Sequence, residues 1–135
     1  MNREIKFRGY SEELKHFVYG FFQEVEVEGI GYSYIFWQGN TTPVRADSVA
    51  QFTGIHDKNG KEIYEGDIIS IEYGKGIVEY SEKQAMFIIN WIGDNEAYNE
   101  SLAYNPRNYI CGKTRKDIEV IGNIYENPEF TQSSE

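Results

Sequence analysis

The central stretch of the chain reads Asp57-Lys58-Asn59-Gly60-Lys61-Glu62-Ile63-Tyr64-Glu65-Gly66-Asp67-Ile68-Ile69. An aspartate followed by Asn59-Gly60 tolerates the positive φ of a tight reversal, so this run predicts a hairpin tip. Glu65-Gly66-Asp67 predicts a second reversal, and apolar residues then alternate with polar ones from Ile69 to Tyr73. Gly66-Asp67-Ile68-Ile69, a glycine turn and then Ile77-Val78-Glu79-Tyr80 predict a meander like that of SH3-like barrels.

Patterns on both sides of this stretch predict further strands. Charged and apolar residues alternate over residues 4–8, which indicates a strand with one face in the core. Residues 32–37 form an aromatic strand, residues 86–92 a nearly continuous apolar strand, and residues 118–125 the last strand. One short helical turn is expected over residues 46–52.

The fold class follows from these strands and from the composition. Aromatic residues make up 16% of the chain, with 11 Tyr and 8 Phe, which is typical of half-buried strands. We predict a mainly β fold with little helix, either a small barrel or a curled antiparallel sheet, with an SH3-like arrangement suggested for residues 50–126. With 135 residues the chain has the size of one domain, which we assign to residues 1–130, with a disordered tail over residues 131–135.

Charge and cysteine content limit the classes of function that the chain can have. The chain has 13 Lys and Arg against 22 Asp and Glu, and a net charge of −9 disfavours binding to nucleic acid. A single cysteine, Cys111, excludes a disulfide framework, and we predict no metal and no cofactor. We find no targeting feature and no apolar run of membrane-spanning length, so we expect a cytoplasmic protein without a membrane partner.

Three segments of the chain are distinctive enough to compare with known families. The first is Ile5-Lys6-Phe7-Arg8. The second covers residues 51–69 and begins with Gln51-Phe52-Thr53-Gly54-Ile55-His56. The third covers residues 120–128 and reads Val120-Ile121-Gly122-Asn123-Ile124-Tyr125-Glu126-Asn127-Pro128. Together they resemble the YopX family of phage and prophage proteins. The resemblance implies a β-rich fold, a phage or prophage origin and the cytoplasm of a bacterial host. It assigns no biochemical activity to particular residues.

The central stretch contains the residues that best suit catalysis. His56-Asp57 resembles part of a metal site, but such sites need more ligands and the chain has two histidines. Acidic residues near a tyrosine could perform general acid and base chemistry, which makes a hydrolase the least favoured alternative. We interpret this set as a structural turn or an acidic cluster, and we predict no catalytic residue. Its members are Asp57, Asn59, Gly60, Tyr64, Glu65, Gly66 and Asp67.

A row of carboxylates precedes the aromatic strand. Glu24, Glu26 and Glu28 alternate with two valines, so the three carboxylates share one face of a strand. Such a row could bind a cation. It is more often the solvated side of an edge or outer strand, which like-charge repulsion keeps from pairing with another chain.

Residues 93–117 form the longest stretch without periodicity, and long loops in small domains are often functional. Our leading hypothesis is a non-enzymatic module that binds a host or phage protein through this loop, or that self-associates as a homo-oligomer. A nucleic-acid-binding β-barrel is the alternative, because tyrosines near basic residues can stack bases. The candidate binding residues for either function are Tyr104, Tyr109, Lys113, Arg115 and Lys116.

Overall fold

The computed structural model describes residues 4–72, 74–93, 99–102 and 114–131 of the chain. These residues form eleven β-strands and two short 3-10 helices, and there is no α-helix among them. The strands make two antiparallel sheets, of six and five strands. The prediction of a mainly β fold with little helix is therefore confirmed.

The chain divides into two compact units, residues 1–52 and residues 53–135. The prediction of one domain over residues 1–130 stays a prediction. The residues assigned to a tail lie almost entirely outside the described part of the chain.

The first unit contains four strands and the start of a fifth. They are β1 (Phe7–Ser11), β2 (His16–Val27), β3 (Ile30–Trp37), β4 (Asn40–Val44) and β5 (Ala50–His56), with a 3-10 helix over Ala46–Ser48 before β5. The sheet order in this unit is β4-β3-β2-β1-β5. The helical turn predicted over residues 46–52 is present only at its beginning, because the chain is already extended at Ala50.

The sheet of the first unit is strongly curled. The N–H of Arg45, directly after β4, donates to the carbonyl of Tyr10 in β1 at 3.0 Å, although β4 pairs only with β3 in the ladder. The two strands also approach closely, since a Cβ placed on Gly9 would lie 2.6 Å from Val44. The expected curled antiparallel sheet is present, and the described residues do not close into a barrel.

The second unit contains the end of β5 and the remaining strands. They are β6 (Glu62–Tyr64), β7 (Asp67–Ile71), β8 (Gly74–Ser81), β9 (Met86–Trp91), β10 (Asn99–Ser101) and β11 (Glu119–Asn123), followed by a 3-10 helix over Pro128–Thr131. β6 is next to β5, and the five-stranded sheet has the order β10-β9-β8-β7-β11. The predicted meander is the run β7-β8-β9.

The buried apolar cluster of the second unit is made of β-branched and other large side chains. Successive side chains of β7, β8 and β9 point to opposite faces of the sheet, so each strand places every second residue on the face that forms this cluster. Its buried members are Ile63, Ile69, Ile71, Val78, Ile89, Trp91, Leu102 and Ile118.

The same hairpin conformation occurs once in each unit, over residues 10–17 and residues 80–87. In both copies a serine hydroxyl oxygen accepts a hydrogen bond from the N–H three residues later, at 3.0 Å for Ser11 and 3.2 Å for Ser81. The residue before the second strand has positive φ in both, 64° and 55°. The side chain of the serine thus replaces a backbone acceptor in each turn.

An aromatic pair closes both hairpins. Tyr10 lies opposite Phe17 with the ring centroids 5.5 Å apart, and Tyr80 lies opposite Phe87 at 5.3 Å. Both pairs are edge-to-face, which is the favourable arrangement for the charge distribution of aromatic rings. Each pair supports the register of its hairpin.

We expect Ile89→Ala to lower the free energy of unfolding by about 3 kcal/mol, because it leaves a cavity in the cluster of the second unit. Ile89 is fully buried. Ile121→Ala, at a side chain that is 40% exposed, is the matched control and should cost less than about 1 kcal/mol. Urea unfolding of both variants measures the difference, and equal losses would contradict the assigned core.

Candidate functional site

The side chain of Asp57 organises the first central turn. One carboxylate oxygen accepts hydrogen bonds from the N–H groups of Asn59 at 2.8 Å and Lys61 at 2.9 Å. The other accepts from the N–H of Val120 in β11 at 3.0 Å. The residue is 1% exposed, so these three donors replace the water that a carboxylate would otherwise bind.

The pKa of Asp57 reflects these contacts. Burial by itself raises the pKa, whereas the N–H groups of Val120, Lys61 and Asn59 and the positive charge of Lys61 lower it. The net effect holds the pKa of Asp57 below its ordinary value. The carboxylate is therefore charged at neutral pH, and that charge strengthens the hydrogen bonds it accepts.

The same turn contacts the segment that precedes β11. The N–H of Lys58 donates to the carbonyl of Ile118, and the N–H of Arg115 donates to the carbonyl of His56, both at 2.9 Å. Gly60 has a φ of 81°, as the sequence predicted for the turn. His56 is half-buried at the end of β5, and its main chain takes part in this contact.

Asp67 organises the second central turn in the same manner. Its carboxylate accepts a hydrogen bond from the N–H of Tyr64 at 2.8 Å, and its side chain is 1% exposed. Gly66 has a φ of 87°, donates its N–H to Val78 and accepts from the N–H of Ile124 at 2.8 Å. This left-handed conformation favours glycine, so a side chain at position 66 would be strained.

The other two residues of the predicted set lie beside this second turn. Tyr64 is 2% exposed and donates its hydroxyl to Glu62 at 3.0 Å. Glu65 is half-buried. The geometry favours the interpretation as structural turns, because Asp57 and Asp67 both accept hydrogen bonds from backbone N–H groups.

The interpretation of the same residues as a hydrolase site stays a prediction. No group of three or more His, Cys, Asp or Glu that could hold a metal ion is found within residues 4–72, 74–93, 99–102 and 114–131. The predicted absence of a cofactor is likewise untested.

Arg115 is the candidate binding residue that the structure describes most fully, and its guanidinium is turned inward. The side chain is 5% exposed and donates a hydrogen bond to the carbonyl of Leu102 at 2.8 Å. It also forms a bidentate salt bridge with the carboxylate of Asp117, in which both hydrogen bonds are 2.9 Å long. Glu100 accepts a further hydrogen bond at 3.2 Å. Burial lowers the pKa of Arg115, but the hydrogen bonds and charges of Asp117 and Glu100 raise it above its ordinary value.

The remaining candidate binding residues divide into two groups. Lys116 is exposed, next to the buried Arg115. Tyr104, Tyr109 and Lys113 lie outside the described residues. The binding role of the five stays a prediction, but the charge of Arg115 is already neutralised by its own neighbours.

A different surface, on the β2–β3 hairpin, exposes large apolar side chains. Phe21, Val27, Ile30 and Tyr32 are 58%, 53%, 57% and 44% exposed. The ladder places Val27 opposite Ile30, Val25 opposite Tyr32, and Phe21 opposite Phe36. Residues that are opposite one another, or two apart on one strand, share a face, so all four lie on one side of the hairpin. We name these four residues the hairpin face.

Two further aromatic rings lie near the hairpin face, although alternation assigns Trp37 to the other face of β3, because Phe36 is the residue opposite Phe21. Trp37 is 45% exposed, and its ring centroid lies 6.2 Å from that of Phe21. Further along β2, the guanidinium of Arg8 lies over the ring of Phe17, 4.6 Å from its centroid. Most of these side chains were predicted to be strand residues, but their exposure was not predicted, because alternation alone does not say which face is covered.

The carboxylates of the same hairpin lie on its other face and in its turn. Glu24 and Glu26 are exposed opposite Ser33 and Gly31, and Glu28 follows in the turn. Their solvation agrees with the sequence interpretation. Among the described strands, β2 pairs with β3 alone over residues 21–27, but β3 also pairs with β4 over residues 33–37, so the hairpin is two strands wide only between the Val25–Tyr32 pair and the turn.

Comparisons with known proteins bear on the whole chain. The family model for the YopX protein matches residues 6–132, which confirms the resemblance found in the sequence. A crystal structure of protein EF1440 from Enterococcus faecalis is similar with a TM-score of 0.50 and 24% identity, covering 97% of this chain and 100% of that one. That similarity concerns the fold. No curated protein matches the chain, and no helix among the described residues has the length and apolar character needed to cross a bilayer.

We expect Asp57→Asn to lower the free energy of unfolding by about 2–3 kcal/mol at neutral pH, because an amide cannot accept from all three N–H groups. The pKa of Asp57 is lowered by folding, so its stabilisation is complete above the unfolded pKa of about 4 and is lost as the pH falls through the folded pKa. Urea unfolding at a series of pH values should show that the free energies of unfolding of wild type and Asp57→Asn become equal in acid.

The control for this experiment is Asp47→Asn. That carboxylate is 62% exposed and pairs with Arg45, so its loss should cost less than about 1 kcal/mol. A difference between wild type and Asp57→Asn that persists unchanged into strong acid would contradict the assigned role of the charge.

Arg115→Met should cost about 3 kcal/mol, because it leaves the carbonyl of Leu102 and two carboxylates without their buried cation. Lys116→Met, at the exposed neighbour, should change stability by less than about 0.5 kcal/mol. Thermal or urea unfolding distinguishes them. If Arg115→Met is as stable as Lys116→Met, the guanidinium has no structural role.

Proposed function

We propose that this chain, which belongs to the YopX protein family, is a non-enzymatic module that binds a protein of its phage or of its bacterial host in the host cytoplasm. One observation carries the proposal, which is the exposure of the hairpin face. Contiguous exposed apolar side chains are typical of surfaces that contact other proteins.

The energetics of such a surface favour association. Complete burial of one large apolar side chain stabilises a complex by about 1.5–3 kcal/mol, and the hairpin face has four that are roughly half-exposed or more. Tyrosine and tryptophan add contact area at a low cost in side-chain entropy, and they are enriched where protein interfaces are strongest. Tyr32 and Trp37 provide both residue types on this hairpin.

The structural role of the buried carboxylates supports the proposal that the protein is not an enzyme. Asp57 and Asp67 both accept hydrogen bonds from backbone N–H groups. A general acid or base must be able to exchange its proton with a substrate, and a carboxylate held by several N–H donors is stabilised in its charged form.

We expect the double variant Phe21→Thr/Ile30→Thr to lose a host or phage protein that the wild type retains in an affinity pull-down. Threonine keeps the strand propensity and removes the apolar surface. The matched control is Met86→Thr/Ile121→Thr, which removes exposed apolar side chains from the second unit. Lysates of infected and uninfected cells provide the candidate partners, and mass spectrometry identifies them.

Two outcomes would contradict the proposal. Equal retention of the partner by the hairpin variant and the control variant would remove the hairpin face as the binding surface. Recovery that is abolished by nuclease would favour the nucleic-acid alternative, in which Lys116 and the tyrosines of residues 93–117 contact the ligand.

A further inference from the structure

We propose that β2 binds an extended segment of the partner protein along its edge between Phe22 and Glu26, as an added antiparallel strand with a basic residue at every second position. The inference rests on the proposed function and adds the mode of binding and the chemistry of the bound segment. It follows from the direction of the backbone groups in β2, from the place where β1 ends, and from the charge beside this edge.

The turn of the hairpin determines which backbone groups of β2 point away from β3. Val27 and Ile30 flank a two-residue turn whose residues have φ of 52° and 81°. Positive φ at both positions is typical of a type I′ turn, and the flanking residues then form a hydrogen-bonded pair. Hydrogen-bonded and non-hydrogen-bonded pairs alternate along an antiparallel ladder, so the N–H and C=O groups of Phe22, Glu24 and Glu26 point away from β3. We name these three residues the outer edge of β2.

The outer edge lies beyond the end of β1. In the sheet, β1 is on the side of β2 that is away from β3, and its pairing ends with Phe7 opposite Gly20. Among the strands that the structure describes, none pairs with the outer edge of β2. Backbone groups at such an edge form a template for another strand, and a strand added there would lie in line with β1.

The edge strand β4 is a poorer template than the outer edge of β2. Trp37 and Asn40 flank a second two-residue turn with positive φ, so the same alternation directs the backbone of Pro43 away from β3. Proline has no N–H to donate at this position. The N–H of Arg45, directly after β4, already donates to the carbonyl of Tyr10. The outer edge of β2 contains no proline and keeps both backbone groups of each residue.

The charge beside the outer edge selects the residues of the added strand. Glu24 and Glu26 are exposed, and the residues opposite them in β3 are Ser33 and Gly31, so β3 provides no cation for either carboxylate. A strand paired with the outer edge places side chains directly opposite Glu24 and Glu26, on the same face of the sheet. Opposite charges at such positions stabilise the pair, and like charges destabilise it. Basic residues at every second position are therefore favoured.

The residues between the basic ones lie on the other side of the added strand. There they flank Val25 and Val27, and Val27 belongs to the hairpin face. Apolar residues at these positions extend the apolar surface and bury part of it. A strand at the edge thus contacts both faces of the hairpin, because its side chains alternate between them.

The same carboxylates disfavour pairing of two copies through this edge. The antiparallel register that pairs all three outer-edge residues of two copies places Glu24 of one copy opposite Glu24 of the other. It also places Phe22 opposite Glu26. Like charges that lie directly opposite destabilise a pair of strands, so the outer edge favours a basic segment over a second copy.

The experiment uses the full-length chain and fluorescent peptides of about nine residues, which exceed the length of the outer edge. One peptide alternates lysine with valine, and a second alternates glutamate with valine. Two further lysine–valine peptides are N-methylated on the backbone, one at its lysines and one at its valines. In the antiparallel complex the lysines lie opposite Glu24 and Glu26, so the lysine N–H groups point to β2 and the valine N–H groups point away.

Fluorescence anisotropy measures the dissociation constant of each peptide. We expect the lysine–valine peptide to bind at least about tenfold more tightly than the glutamate–valine peptide. Methylation of the lysine nitrogens should weaken binding at least about tenfold, because it removes the hydrogen bonds to β2, and methylation of the valine nitrogens should weaken it less than about threefold. The two methylated peptides have the same composition and charge, so their difference measures strand pairing alone.

A variant of the protein tests the same hydrogen bonds from the other side. Glu26→Pro removes an N–H of the outer edge, and Glu26→Gln is its control because it removes the same charge and keeps the N–H. We expect Glu26→Pro to bind the lysine–valine peptide at least about fivefold more weakly than Glu26→Gln. Pro43 occupies the corresponding position of β4, and urea unfolding of both variants shows whether the fold is kept.

A second pair of variants tests the charge. Glu24→Gln/Glu26→Gln should weaken binding of the lysine–valine peptide about fivefold and reduce its dependence on salt. The control is Glu72→Gln/Glu82→Gln, which changes the net charge equally at exposed positions of the second unit. It should change the affinity less than about twofold.

Four results would overturn the inference. In the first, methylation of the lysine nitrogens weakens binding no more than methylation of the valine nitrogens. In the second, Glu26→Pro binds the lysine–valine peptide as tightly as Glu26→Gln. The third is equal loss of affinity in the two double glutamine variants, and the fourth is a homodimer in sedimentation that Glu26→Pro dissociates.

The inference and the proposed function fail separately. If the native partner is lost with Phe21→Thr/Ile30→Thr but is retained equally by Glu26→Pro and Glu26→Gln, protein binding stands and pairing at the outer edge does not. If the hairpin variant retains the native partner as its control does, while the peptides bind as expected, the hairpin face is not the binding surface and the outer edge remains a strand-binding site.

Discussion

The buried carboxylate of Asp57 connects parts of the second unit that are far apart in sequence. It accepts two hydrogen bonds inside its own turn and a third from Val120, 63 residues further along the chain. A buried charge without such donors would be strongly unfavourable, so the turn and the start of β11 must form together. The contacts of Lys58 with Ile118 and of His56 with Arg115 follow from the same juxtaposition.

Two of the three segments that carry the family resemblance, residues 51–69 and 120–128, meet in this region. β7, from residues 51–69, pairs with β11, from residues 120–128, and Gly66 accepts a hydrogen bond from the N–H of Ile124. Their glycines, aspartates and asparagines shape turns and bind backbone groups, which is a reason for those residue types that involves no ligand. The resemblance therefore describes how the second unit folds, and function must be sought on surfaces that folding leaves exposed.

The hairpin of β2 and β3 is such a surface. The four residues of the hairpin face contribute little to the buried part of the first unit, where Ile35, on the other face of β3, and Phe52 are the largest covered apolar side chains among those described. Exposed phenylalanine and isoleucine lower solubility, and the carboxylates on the other face of the hairpin favour it. The surface of the proposed function and the buried residues that stabilise the fold are thus different residues of this chain.

Local patterns in the sequence were enough to predict the fold class and the two central turns. Asn59-Gly60 and Glu65-Gly66-Asp67 specify local backbone conformations, and alternating apolar residues specify strands, because both depend only on near neighbours in the chain. The recurring hairpin was not predicted, although Tyr-Ser-Glu occurs at its start in both copies, at residues 10–12 and 80–82. The pairing of distant segments was needed to show that the N–H of Val120 donates to Asp57, that Glu100 and Asp117 neutralise Arg115, and that Phe21 and Ile30 are exposed. These outcomes depend on which distant strands pair and which face of each strand is covered, and strand periodicity is the same for a covered face and an exposed one.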